Sequence, residues 1–300
     1  MSITSASRQL GYSKQAYYKS ITNQQKKSCY YSMAKQKVVA VRKQLPRLGT
    51  RKLYHLLMGD FKKERIAVGR DKLFSILRAE QLLIVKKKRF TKTTDSRHWM
   101  HKYPNLIKEL QPVKPEQIWV ADITWLNIKD SYCYLHLITD AYSKKIMGYE
   151  VSDNLAAANT IKALKMALKN RKYVTPLIHH SDRGLQYCSA GYTKLLDDTK
   201  IAISMTQDGS PYDNAIAERV NGILKDEFGL DDAFESMDQV RNEANQSIDL
   251  YNRLRPHLSN SMLTPIEMHQ QNKLKPRTWH KKTTRTLEGS CGFLPSLQHS

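Results

Sequence analysis

Apolar and polar positions follow one rhythm in the first third of this 300-residue chain and another after about residue 117. The first rhythm is helical. In "ASRQLGYSKQAYYKSI" two short helices are expected around a turn at Gly11, with Ser13 capping the second. Val38, Val39, Val41, Arg42 and Leu45 then share a helix that ends at Pro46. "GTRKLYHLLMGDF" restarts at Thr50 with Leu53, Leu56 and Leu57 at helical spacing. "AVGRDKLFSILRAEQLL" turns Leu73, Ile76, Leu77 and Leu82 inward and leaves Arg70, Lys72 and Arg78 for solvent or phosphate. The second rhythm begins with "QIWVADITWLNI", which is apolar on both faces: Ile118, Val120 and Leu126 on one, Trp119, Ile123 and Trp125 on the other. That pattern predicts a central strand covered on both sides. "CYLHLITDA" and "KKIMGYEVS" extend it as a meander. A helix capped near Asn154, the strand "VTPLIHHSD", the helix "AGYTKLLDDT", the strand "IAISM" and a long helix in "SPYDNAIAERVNGILKDEF" complete a mixed α/β layer fold.

These patterns divide the chain into a helix-turn-helix-like segment at 1–33, a helical unit at 34–88 and a basic, proline-containing linker at 89–115. A catalytic-sized α/β unit at 116–271 and a basic tail at 272–300 follow. Charge sharpens the division. The whole chain carries 49 Lys and Arg against 28 Asp and Glu. Residues 1–100 hold 24 basic and 5 acidic side chains, so +19 of the net +21 lies there. A block this one-sided repels itself unless a polyanion neutralises it, and nucleic acid is the expected partner. Lys14 and Lys19 on the first segment, and Arg51, Arg70 and Lys72 on the second, are the candidate contacts. A plain amphipathic hairpin and a small packing domain remain the alternatives. No run is long enough for a membrane span. The start lacks the apolar core of a signal peptide. Four scattered cysteines without a C-x-x-C pair suit a reducing cytoplasm.

The stretch "LIHHSDRGLQY" poses the chemical question. His179 and His180 could hold a metal with Asp182, Asp182 could belong to a carboxylate set, or the strand could simply end in polar residues. Strand alternation sends the two histidines to opposite faces, which argues against one shared ion. Asp122 lies inside an apolar strand, where a charge is costly unless it is paired or holds a metal. If the strands of Asp122 and Asp182 are parallel neighbours, the two carboxylates meet at one edge. Glu218 lies on the long helix, two turns before Lys225, on a polar face that Asn214 and Asn221 flank. Ala217, Val220, Leu224 and Phe228 form its core stripe. The chain thus reads D-x59-D-x35-E. Spacing alone is weak among 17 aspartates, and the settings of the three acids discriminate. Hard divalent cations take oxygen ligands, and two such ions serve in-line phosphoryl displacement. No phosphate-binding loop of the nucleotide-hydrolase kind is present.

"WVADITWL", "HHSDRGLQY", "SMTQDGSPYDNAIAERVNGILKDEF" and "YNRLRPHLSNSMLTPIE" together resemble the catalytic region of bacterial insertion-sequence transposases. These belong to the Asp-Asp-Glu transposase and retroviral-integrase superfamily. The likeness is to the group whose transposase is split into two reading frames, the second (OrfB-type) being catalytic. It covers about residues 45–270. The resemblance implies a ribonuclease-H-like core, dependence on two Mg²⁺ ions that Mn²⁺ can replace, and DNA cleavage followed by strand transfer. It places Asp122, Asp182 and Glu218 as the metal-binding triad and Lys225 as a DNA contact near the cleaved phosphate. Arg183 and Asn214 are further candidates there. Asp208 stands where many relatives carry a basic residue. Expected partners are element-end and target DNA, further copies of the chain on DNA, and an upstream-frame protein, in a nucleoid-associated cytoplasmic setting. A DNA-binding regulator without catalysis and a nuclease of the same fold are the alternatives.

Overall fold

The computed structural model describes residues 3–85, 99–108, 110–129, 131–207 and 214–276. The basic run at 86–98, Asp208 and most of the basic tail lie outside the described residues. Helix α1 (Ile3–Gln9) leads through a turn at Gly11, with φ of 73°, into α2 (Lys14–Arg42). The Ser13 hydroxyl caps α2 by accepting from the Ala16 N–H at 3.0 Å, as expected. The helix is not short, however. It runs for 29 residues and passes through the boundary expected between 33 and 34. No proline or glycine interrupts 12–45, so nothing stops the helix before Pro46. Helices α3 (Thr50–Lys63) and α4 (Arg70–Ala79) pack on the second half of α2. Their shared core holds Ala34, Val38, Leu53, Leu57, Phe61, Leu73, Ile76 and Leu77. Leu56, which shares the helical spacing of Leu53 and Leu57, is exposed.

Among the described residues, the second unit is a mixed five-stranded sheet with flanking helices, the ribonuclease-H-like arrangement. Strands β1 (Ile118–Ile128), β2 (Ser131–Asp140) and β3 (Ile146–Ser152) form the antiparallel meander. Helix α5 (Ala157–Lys169) crosses over to β4 (Ile178–Ser181). Short α6 (Leu185–Cys188) and α7 (Ala190–Asp198) lead to β5 (Ala202–Met205). The sheet order is β3-β2-β1-β4-β5, with β4 and β5 parallel to β1 and β4 respectively. One face packs on α5, α6 and α7 through Trp119, Ala121, Ala163, Leu164 and Tyr192. The other packs on α8 (Ala215–Phe228) and α9 (Met237–Leu254) through Leu126, Leu135, Val220, Leu224 and Ile248. Gly148 allows α5 this close: a Cβ there would stand 2.2 Å from the Ala163 carbonyl oxygen. Asn154 does not cap α5 directly; it accepts from the Ala156 N–H just before the helix.

Two departures from the expected outline concern edges and ends. The second half of the expected linker is packed, not free. Pro104 O accepts from Met205 N, and the Ser204 hydroxyl accepts from Leu106 N, so residues 104–106 cover the β5 edge. At the other edge, Asn252 of α9 bonds both the N–H and the carbonyl of Ile146. Helix α10 (Pro265–His269) begins with the expected capping box between Thr264 and Glu267.

At the end of the sheet where β1 begins, α10 is held by buried charge. His269 Nε2 donates to Glu116 at 3.0 Å, and its Nδ1 bonds Ser143 Oγ at 3.0 Å, which donates to Asp140. Burial opposes charge on His269, but bonds to Asp140 and Glu116 outweigh it and raise its pKa. Burial likewise opposes charge on Glu116. His269 and the backbone N–H groups of Lys172 and Tyr173 outweigh it and lower its pKa. The raised histidine stabilises below its unfolded pKa and stops doing so as pH rises through its folded value. The lowered glutamate stabilises above its unfolded pKa and stops doing so as pH falls through its folded value. Stability from this cluster therefore peaks between the ordinary Glu and His ranges. His269→Ala, which strands Glu116 and Asp140, is expected to cost about 3 kcal/mol in urea unfolding and to flatten the alkaline limb of the stability–pH curve.

Candidate active site

The β1–β4 register decides where the acids meet. Ile118 pairs with Ile178, Trp119 with His179 and Val120 with His180, a constant offset of 60 positions (178 − 118 = 60). Carried two residues further, that offset sets Asp122 beside Asp182, just where β4 ends at Ser181. Because β1 runs on to Ile128, its β4-side edge opens at Asp122 into a notch. Helix α8 lies along the same face of β1. Asn214, its N-cap residue, donates through Nδ2 to the Ala121 carbonyl at 3.0 Å. Asn221 donates to Asp122 Oδ2 at 2.7 Å. Glu218, in the first turn of α8, is exposed on the side that Asn221 turns to the notch.

The electrostatics agree with this gathering. Asp122 is half-buried, and its pKa is pushed up to about 7. Burial is the main cause, and the charges of Asp182 and Glu218 act in the same direction. Bonds from Asn221 and the Ile123 N–H offset part of it. Asp182 is half-buried and accepts from the Gly184 N–H at 3.0 Å. A Cβ on Gly184 would stand 3.0 Å from that carboxylate oxygen, so the tight turn needs glycine. Like charges held together in this way, all with hard oxygen donors, fit a divalent cation. The fit is open, not clasped: among the described residues no three His, Cys, Asp or Glu side chains close on a single ion as they stand.

The remaining expected site residues separate into three groups. Lys225 and Arg183 follow closely in the chain on Asn221 and Asp182. Lys225 is 8% exposed, with its ammonium 4.2 Å from the Trp125 ring centre, and Arg183 is half-buried beside Asp182. Asn214 is 6% exposed and committed to the Ala121 carbonyl, so it ties α8 to β1 and does not face DNA. Lys14, Lys19, Arg51, Arg70 and Lys72 are exposed on the helical unit. Arg70 there bonds Asp71 at 2.8 Å, and Lys72 lies over the Tyr31 ring. Arg255 and His257, in the "YNRLRPH" stretch, are both buried, and Arg255 is ion-paired to Glu227.

The two histidines that drew attention do not share an ion. His179 bonds the Tyr192 hydroxyl at 2.8 Å, and burial pushes its pKa down to about 3. His180 bonds Ser204 at 2.8 Å and is equally buried, so neither opens onto the notch. Tyr187 packs edge-on against Tyr192, and burial with the charge of Asp182 raises its pKa well above the ordinary tyrosine value. Asn221 is the residue that sequence reasoning noted only as a flank. The signal was present: it lies three positions after Glu218 and four before Lys225, on one helix face.

The integrase core domain family matches residues 112–211, and a second family description of the same name matches residues 199–265. An insertion element IS600 31 kDa protein of Shigella sonnei is 33% identical over 225 residues, covering 74% of this chain and 81% of its own. Transposase InsF for insertion sequence IS3fB of Escherichia coli is 32% identical over 198 residues, covering 65% of this chain and 69% of its own. Among solved structures, the HTLV-2 integrase catalytic core domain in complex with magnesium is 21% identical. It matches with a TM-score of 0.42 over 52% of this chain and 97% of that one. A β1–β4 notch lined by Asp122, Asp182 and Glu218 thus lies inside the matched region, and the chain belongs to the bacterial insertion-sequence transposases of the integrase superfamily.

Proposed function

We propose that this chain cleaves DNA at the ends of a mobile element and joins the freed 3′ ends to target DNA, with Mg²⁺ held by Asp122, Asp182 and Glu218. The β1–β4 register carries the reading, because it brings two acids sixty positions apart to one notch beside the helix of the third. When bound, the cation supplies Lewis-acid polarisation of the phosphate and a more acidic attacking hydroxyl. Asn221 holds Asp122 Oδ2, so that the carboxylate meets the ion in one orientation. Lys225 and Arg183 offer positive charge to the phosphate oxygens. In each step one P–O bond forms as another breaks in line, so the number of phosphodiester bonds is conserved in strand transfer and no nucleotide is consumed. Mn²⁺ in place of Mg²⁺, assembly of several copies on DNA and a partner protein from an upstream frame fit the same reading.

DNA engagement falls to the helical unit in this proposal. Helix α2 and the loop before it carry Lys14, Lys19, Lys26 and Lys27 with no acid until Asp60. The first half of α2 is exposed on nearly every side, and such a helix needs a partner to neutralise it. Helices α3 and α4 form the helix-turn-helix, with Arg51, Arg70 and Lys72 at their first turns.

Three outcomes test this. Asp182→Asn is expected to abolish both Mg²⁺-dependent cleavage and strand transfer on duplexes bearing the repeats that flank the gene, with DNA affinity kept. An active variant would remove Asp182 from the set, and hydrolysis without any joined product would indicate a nuclease. Asn221→Ala is expected to lower activity about 10- to 100-fold and to raise the Mg²⁺ concentration needed for half-maximal rate. Lys14→Gln and Lys19→Gln are each expected to reduce the slope of log affinity against log salt by about 0.9 on duplex DNA. An unchanged slope would return the N-terminal segment to a plain hairpin.

A further inference from the structure

Two contacts from the helical unit end on one residue of helix α8. Glu227 Oε1 accepts from Lys52 Nζ at 3.1 Å, and the Arg47 N–H donates to the Glu227 main-chain carbonyl at 3.2 Å. The carboxylate is held in one orientation, because Arg255 at the end of α9 forks onto it. Arg255 Nη2 donates to Oε1 at 2.6 Å and Nε to Oε2 at 2.8 Å. The side chains of Lys52, Glu227 and Arg255 are 11%, 18% and 2% exposed. Exposed ion pairs contribute little, but in a pair this shielded the loss of one partner leaves a charge buried. Burial and the Arg255 charge pull the Lys52 pKa down to about 8, and Glu227 works against both. The next residue, Phe228, packs against the cores of both units.

The first turn of α3 faces three ways. Arg51 is exposed, Lys52 turns to Glu227, and Leu53 is buried in the core of the helical unit. One turn of helix therefore joins a surface for DNA phosphate to the end of α8. Glu227 lies nine positions after Glu218 on α8 (227 − 218 = 9), about 14 Å along the helix axis. Successive phosphates of one DNA strand are about 3.4 Å apart along the duplex. A grip that slides by half that distance, about 1.7 Å, no longer singles out one bond at the notch. We propose that Lys52 is a positioning residue: through Glu227 it fixes the helical unit, and the DNA held there, against the helix of Glu218, and so determines which phosphodiester is cut. This rests on the reading of the notch as the cleavage centre and of the helical unit as the DNA grip. Lys52 touches no reacting atom, and its shielded ammonium is committed to Glu227.

The test uses the full-length chain and three readouts. The first is amide hydrogen exchange, without DNA, in peptides spanning 45–53 and 223–230. The second is the position of the cut, mapped with Mg²⁺ on an end-labelled duplex that bears the repeats flanking the gene. The third is the salt dependence of binding to that duplex. Lys52→Met keeps the length of the side chain and suits a shielded site. It is expected to speed exchange in both peptides about 10-fold, to spread the cut over neighbouring phosphates and to lower kcat about 10-fold with KM unchanged. The salt slope is expected to stay as it is, because Lys52 holds no phosphate. Lys52→Arg, which keeps charge and reach, is expected to restore a single cut position. If circular dichroism shows that the methionine variant does not fold, or if it does not cut, Lys52→Gln carries the test in the same directions. Unchanged exchange, a single cut position in a variant whose exchange is faster, or a salt slope lowered by about 0.9 overturns the proposal. Failure of the cleavage reading is seen separately, as absence of metal-dependent cutting by the unaltered chain. The exchange result then still reports whether Lys52 and Glu227 hold the two units together.

Discussion

Like charges gathered in one notch repel, and the structure around Asp122 holds them against that repulsion. Burial first, and the charges of Asp182 and Glu218 with it, push the Asp122 pKa up to about 7. Backbone hydrogen bonding supplies the restraint. Three register pairs between β1 and β4 fix the distance along the sheet between Asp122 and Asp182. The Gly184 N–H then holds the second carboxylate, and the Asn221 amide holds the first. Side chains on flexible loops could relax apart, whereas Asp122 within β1 and Asp182 directly after the end of β4 are held by the paired strands.

The third acid depends on how α8 lies, and α8 is pinned at both ends. Its first turn is tied to β1 by Asn214. Near its last turn, Glu227 accepts from Arg255 at 2.6 and 2.8 Å and from Lys52 of α3 at 3.1 Å. The Arg47 N–H bonds the Glu227 carbonyl, and Phe228 with Leu250 packs against the core of the helical unit. Burial, the Arg255 charge and Glu227 together leave the Lys52 pKa at about 8. The helical unit is therefore docked on the end of the helix that carries Glu218. Its orientation and the position of that acid are parts of one arrangement.

Charged groups away from the notch serve a different purpose. Glu116, Asp140 and His269 are buried at the far end of the sheet, with their hydrogen-bonding capacity taken up by Ser143 and by backbone N–H groups. They fasten α10 beneath β1 and β2. The notch acids remain partly open to solvent. That contrast separates a structural ion cluster from a site prepared for a ligand.

The sequence by itself determined the element order, because helical and strand periods are local properties of the chain. It also showed the basic first third, and it marked the three acids by their settings: Asp122 among apolar residues, Asp182 at a strand end, Glu218 on the polar face of an amphipathic helix. The run of α2 through residue 33 was legible too, in the lack of any breaker between Gly11 and Pro46, but basic composition on both sides suggested two units. Only the tertiary structure decided partners. It placed β4 parallel to β1 in the register that joins the acids, and it buried both His179 and His180 as well as Arg255. It also spent Asn214 on a backbone carbonyl and set Lys225 over Trp125. The reason is physical: periodicity tells which way a side chain faces on its own element, whereas what it meets depends on a neighbour that the chain brings in from sixty or a hundred positions away.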